Sequence, residues 1–119
     1  MVDETKVLVI EDNARYRHDL ETVLAFLGED TVPSSSSNWL EQVEKNIKAS
    51  SKIAVAIIGS LDSIKLENLI SEIHEREACI SFVILGRKRI SNSLGSQLAN
   101  SITAFLDRNL SYQSLLDAL

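Results

Sequence analysis

The spacing of apolar positions changes repeatedly along this chain. Lys6-Val7-Leu8-Val9-Ile10 is a continuous, β-branched run, the pattern of a strand buried on both faces. Tyr16, Leu20, Val23, Leu24 and Leu27 then recur at helical spacing, with Gly28 where a helix stop is wanted. Glu29 to Val32 reads as a short second strand ending at Pro33, and the serine run Ser34 to Ser37 as a loop. Asn38 with Glu41 three residues on reads as a capping box, after which Trp39, Leu40, Val43 and Ile47 mark a second helix. Ile53 to Ile58 is the clearest strand. Leu66, Leu69, Ile70 and Ile73 mark a third helix, and Phe82 to Leu85 a fourth strand. Leu94 and Leu98 suggest a short fourth helix, weakened by Gly95 in its interior. Ile102 to Leu106 is a fifth strand, and Ser111 caps a last helix carrying Leu115, Leu116 and Leu119.

Five strands alternating with five helices predict a doubly wound α/β domain, a parallel sheet with helices on both faces. Right-handed crossovers leave few topologies, of which the flavodoxin-like strand order 2-1-3-4-5 is expected. The 119 residues suffice for one such domain, which would bury roughly two-thirds of the unfolded surface. No repeat or linker divides it, so residues 1–119 read as a single unit. The last helix meets Leu119 without a stop signal, as expected of a piece cut from a longer protein.

Composition narrows the function. With 45 % hydrophobic and 24 % charged residues the chain is an ordinary soluble mix, and its net charge of -5 speaks against a nucleic-acid surface. Its single cysteine, Cys79, allows no internal disulfide. No apolar run approaches the ~18 residues of a membrane span. The acidic start, Met1-Val2-Asp3-Glu4, lacks the features of a signal peptide, so a cytoplasmic location is expected. Gly28, Gly59, Gly86 and Gly95 lie too far apart to build a phosphate-cradling loop. His18, His74 and Cys79 make no zinc cluster. No cofactor and no catalytic set are expected: the chain reads as a binding module, not an enzyme.

In such a sheet, ligands bind beyond the carboxyl ends of the strands. The first strand ends in Glu11-Asp12. Two readings are open: a carboxylate pair for a hard cation such as magnesium, given further oxygen ligands, or adjacent acids solvated in a polar loop. Arg87-Lys88-Arg89 is either a docking patch for an acidic partner or phosphate, or a solvated loop. Cys79 reads as a half-buried small residue, His18 and His74 as polar-face residues, and Trp39 as core or a partner contact.

Val9-Ile10-Glu11-Asp12-Asn13 after a β-branched run, with the closing Ala104-Phe105-Leu106-Asp107-Arg108-Asn109, resembles the response-regulator receiver domains. Phe26-Leu27-Gly28-Glu29-Asp30, Ile57-Ile58-Gly59-Ser60 and Ser111-Tyr112-Gln113-Ser114-Leu115-Leu116-Asp117 narrow the resemblance. They are similar to the N-terminal domain of sigma-54-dependent flagellar master regulators of the FleQ/FlrA type. The resemblance implies a CheY-like fold and an acidic pair, Glu11 and Asp12, that holds magnesium. It implies an acceptor aspartate directly after the third strand, where this chain has Gly59 and then Ser60. It implies a Ser or Thr after the fourth strand, here Gly86, and a lysine followed by proline after the fifth, here Arg108 and Asn109. Glu11, Asp12, Gly59, Ser60, Gly86 and Arg108 thus outline a degenerate phosphorylation pocket. Glu11 and Asp12 alone are weak metal candidates, and an Arg108 contact is expected to replace metal and lysine. The alternative is a phosphorylated receiver with Asp62 as a displaced acceptor.

The resemblance also implies partners. These are an AAA+ ATPase domain and a helix-turn-helix DNA-binding domain in the same chain, and sigma-54 polymerase. An antagonist ATPase and cyclic di-GMP are associated mainly with the ATPase domain. Receivers of this kind pair through the fourth helix, fifth strand and fifth helix, which makes Leu94, Leu98, Tyr112 and Leu116 the homodimer candidates. Neither direct nucleic-acid contact nor a membrane is expected of this domain.

Overall fold

The computed structural model describes residues 4–46, 51–62, 64–77, 80–86 and 100–106. In chain order these form β1 (Glu4–Ile10), α1 (Ala14–Phe26), β2 (Asp30–Ser34), α2 (Trp39–Asn46), β3 (Ser51–Ile58), α3 (Leu66–Arg76), β4 (Ser81–Leu85) and β5 (Ile102–Leu106). The strands pair in parallel in the order β2-β1-β3-β4-β5, the order the sequence predicts. No helix among the described residues is long and apolar enough to cross a membrane.

The unbroken apolar runs are explained by two cores. Alternate strand residues face opposite sides, so Leu8, Ile10, Ala56, Ile58, Phe82 and Ile84 pack with α2 and α3 on one face. Val7, Val9, Ile57, Val83 and Leu85 pack with Leu20 and Leu24 of α1 on the other. Both leucines of α1 are buried, each worth about 1.5–3 kcal/mol of transfer free energy. Register shifts at Lys6/Val7 and at Phe82/Val83 leave Ala54 and Thr103 as extra residues on β3 and β5. Each bulge reverses the parity of its strand. That is why Ile53 shares a core with Ala56 and Ile58, and Ile102 with Phe105.

The helix ends follow local chemistry. Asn13 Oδ1 accepts from the backbone N–H groups of Arg15 and Tyr16 at 3.0 and 3.1 Å, capping α1. Gly28 stops it with φ +85°: Gly28 N donates to Ala25 O, and Glu29 N to Leu24 O. That pair of bonds is a Schellman turn, and its left-handed residue favours glycine.

Several expectations are corrected. Tyr16, in the first turn of α1 where the strands have already ended, is 47 % exposed, and Leu40 is 44 % exposed beside the buried Trp39 and Val43. The second strand does not stop at Pro33 but runs through it to Ser34. β2 is an edge strand, where a residue without an N–H is tolerated. Ser34 is not loop: it is buried, and its hydroxyl donates to Val9 O at 2.9 Å. Asn38 precedes α2, but its Oδ1 is engaged backward, by Ser35 N at 2.7 Å. The predicted fourth and fifth helices and Ile47 lie outside the described residues.

Candidate functional site

Parallel register brings the strand ends level. Ile10 of β1 pairs with Ser34 of β2 and with Ile58 of β3. The ladder then continues into the loops: Glu11 N donates to Ser34 O, Gly59 N to Ile10 O and Asp12 N to Ser60 O, at 2.9–3.1 Å. Glu11, Asp12, Gly59 and Ser60 therefore converge at the carboxyl edge.

The two carboxylates diverge there. Glu11 is 1 % exposed and turned inward. Its Oε1 accepts from Ser60 N at 3.1 Å and Ser60 Oγ at 3.4 Å, and its Oε2 from Asn13 N at 3.0 Å. Asp12 is partly exposed and is held by the loops after β2 and β3. Its Oδ1 accepts from Ser36 N at 2.6 Å, and its Oδ2 from Ser36 Oγ at 2.6 Å and Asp62 N at 2.8 Å. Burial, the largest single influence, pushes the Asp12 carboxyl up. The Ser36 hydroxyl, the Asp62 and Ser36 backbone N–H groups and the nearby Arg17 outweigh it, holding the group below its ordinary value.

Arg17 and Ser36 are functional-site residues that sequence reading missed. Arg17 Nη1 donates to Glu11 O at 2.8 Å. Together with Asp12, Ser35, Ser36, Ser37, Asn38 and Asp62 it lines a polar cleft of about 330 Å³. The signal for Ser36 lay in register: pairing Ile10 with Ser34 puts position 36 opposite position 12.

Gly59 faces Glu11 directly. A Cβ added to Gly59 would overlap Glu11 Oε1 and meet Glu11 Cδ at 3.0 Å. Gly86 sits at the end of β4 with φ +77°, its N–H donating to Leu106 O at 2.8 Å. The backbone there is in the left-handed region where a serine or threonine is strained. Asp62 is exposed on the cleft. Arg108, Asn109, Leu94, Leu98, Tyr112, Leu116, Cys79 and the 87–89 basic run lie outside the described residues.

A magnesium ion, which the receiver resemblance implies, needs several oxygen ligands converging on one point. The donor set does not fit it: both Glu11 oxygens and both Asp12 oxygens already accept hydrogen bonds from the chain. Among the described residues no three His, Cys, Asp or Glu side chains gather to hold a metal.

The sequence model of the family described as flagellar regulatory protein FleQ matches residues 6–119. The chain belongs to that FleQ family. Its fold is that of receiver domains. A response-regulator receiver from Clostridium thermocellum superimposes with TM-score 0.71 at 20 % identity, covering 96 % of this chain and 90 % of that one. The signal receiver domain of an HD-domain protein from Pseudomonas fluorescens Pf-5 gives 0.72 at 16 %, covering 97 % and 90 %. The beryllofluoride-activated NtrC4 receiver dimer gives 0.67 at 20 %, covering 95 % and 92 %. This FleQ-family chain thus has the receiver fold, and at its strand ends Gly59 and Gly86 stand in structured backbone.

Proposed function

We propose that this FleQ-family domain regulates without being phosphorylated, as the N-terminal receiver of a sigma-54-dependent activator of flagellar genes. The observation that carries the reading is at Gly59. The place directly after β3 holds no carboxylate of its own, and Glu11 fills the space a side chain there would need. A hydroxyl at Ser60 is no substitute, because it is neutral and already directed at Glu11 Oε1. The left-handed backbone of Gly86 supports the same reading, since it disfavours the hydroxyl-bearing residue that would contact a phosphoryl group.

On this reading residues 1–119 form one cytoplasmic, non-enzymatic module that acts through protein contacts. It dimerises through the face around β5, with Leu94, Leu98, Tyr112 and Leu116 as candidates. It acts on the AAA+ domain of the same chain, with an antagonist ATPase as a further partner. Incubation with acetyl phosphate and magnesium, followed by intact-mass measurement, tests the central claim. The expected result is an unchanged mass. Gain of a phosphoryl group would overturn it.

Asp62 favours a second reading, because its carboxylate is exposed on the same cleft as Asp12. If the mass does rise, loss of the gain in Asp62→Asn would establish the displaced acceptor. In-line transfer tolerates little misplacement, and Asp62 N is bound to Asp12 rather than to the Gly59 position.

A further inference from the structure

Gly28 and Gly86 are accounted for by their backbone, since both have positive φ. Gly59 does not, so conformational freedom is no reason for a glycine there. Space is the reason. Its missing side chain leaves the volume into which Glu11 Oε1 projects, and any Cβ at position 59 would collide with that carboxylate.

Glu11 is also fastened in that volume. Its donors include Ser60 N at 3.1 Å and Ser60 Oγ at 3.4 Å on one oxygen, and Asn13 N at 3.0 Å on the other. The Asn13 bond is local, two residues along the same connection, whereas the Ser60 bonds tie the end of β1 to the loop after β3. At 1 % exposure, Glu11 cannot turn away without stranding these donors.

We infer that Glu11 is an internal occupant of the acceptor site: its carboxylate stands in the space that the acceptor side chain takes in the receivers this chain resembles, and clamps the β1 and β3 ends together. The inference deepens the non-phosphorylated reading and rests on it for the site's identity. It has a consequence of its own. Gly59 and Glu11 are a coupled pair, so putting aspartate back at position 59 does not rebuild an acceptor. The new side chain and Glu11 compete for one volume, and the pocket accepts a residue at 59 only when Glu11 is shortened.

A double-mutant cycle tests the coupling. Wild type, Gly59→Ala, Glu11→Ala and the double variant are compared by thermal unfolding. With Glu11 present, Gly59→Ala is expected to lower Tm by about 5 °C or more, the effect of overpacking a closed site. In the Glu11→Ala background the same change is expected to lower Tm by less than about 1 °C, because the volume is vacant. A single Gly59→Ala variant that does not fold, rescued in the double variant, carries the same meaning. Equal losses in the two backgrounds would overturn the inference.

A second measurement needs no variant. Hydrogen exchange of the Ser60 and Asn13 amides in wild type is expected to be slowed well below that of an exposed loop amide. Exchange at the unprotected rate would overturn the clamp. Neither experiment uses a phosphodonor. Coupling found in a protein that gains phosphate at Asp62 would overturn the non-phosphorylated reading and still support the occupancy of the Gly59 volume by Glu11.

Discussion

Glu11 and Asp12 are neighbours in sequence, yet the change of side at each strand residue sends one inward and the other to the cleft. The inward carboxylate is a structural acceptor; the outward one is a charged group with a depressed pKa. That depression has a definite sign. The unfolded chain binds the Asp12 proton more tightly than the fold does, so Asp12 adds stability that is present above its ordinary value of 3.8. The contribution is lost as pH falls through the lower folded value. Ser36→Ala removes the hydroxyl donor and leaves the Ser36 backbone donor in place. It is expected to raise the Asp12 pKa, read by carboxyl NMR titration, and to flatten the acid limb of stability against pH. Because the group is open to solvent, the loss at neutral pH should be only about 1 kcal/mol in urea unfolding. An unchanged Asp12 titration would show that the hydroxyl does not set this charge.

At the level of elements, the strands were legible because buried parallel strands read as continuous apolar runs, and α3 because Leu66, Leu69, Ile70 and Ile73 all face one core. The bulges at Ala54 and Thr103 were not legible, since a continuous run hides its own parity. Helical spacing at Tyr16 and Leu40 named a face without showing how far the sheet extends beneath it. The acidic pair of the site could be read from sequence. Its partners Ser36 and Arg17 could not, because they reach it by register and by a fold-dependent side-chain path. Gly86 shows the same limit. In sequence it is a missing hydroxyl, whereas in the fold it is a left-handed residue closing onto β5. Gly86→Ser is therefore expected to destabilise the domain by about 1–2 kcal/mol, the cost of the left-handed region for an L-residue. It should not restore phosphoryl uptake. Urea unfolding measures the first effect, and a neutral or stabilising change would contradict the strained-backbone account.

For the whole molecule, a ligand that binds only the folded state raises stability by RT ln(1 + [L]/Kd). A receiver with a working metal site must therefore report magnesium in its unfolding curve. A site with a Kd of about 1 mM would add about 1.4 kcal/mol at about 10 mM magnesium. For a domain of 119 residues that is about 5 °C in Tm. Here the acidic pair is engaged by two sets of donors, Ser60 and Asn13 on Glu11 and Ser36 and Asp62 on Asp12. Binding would require carboxylate oxygens to leave these donors. Glu11 would have to abandon a buried site to do so. The expected Tm change on adding magnesium at that concentration, against a matched rise in ionic strength, is less than about 1 °C. A saturable rise of several degrees, reversed by chelation, would mean that Glu11 can leave the Gly59 volume. A shift that grows without saturation and is matched by the salt control would reflect only screening of the chain's net charge of -5. Glu11→Ala separates the cases. If the metal-free account holds, its melting curve is as insensitive to magnesium as wild type, because Asp12 alone, already carrying three donors, offers no cation site.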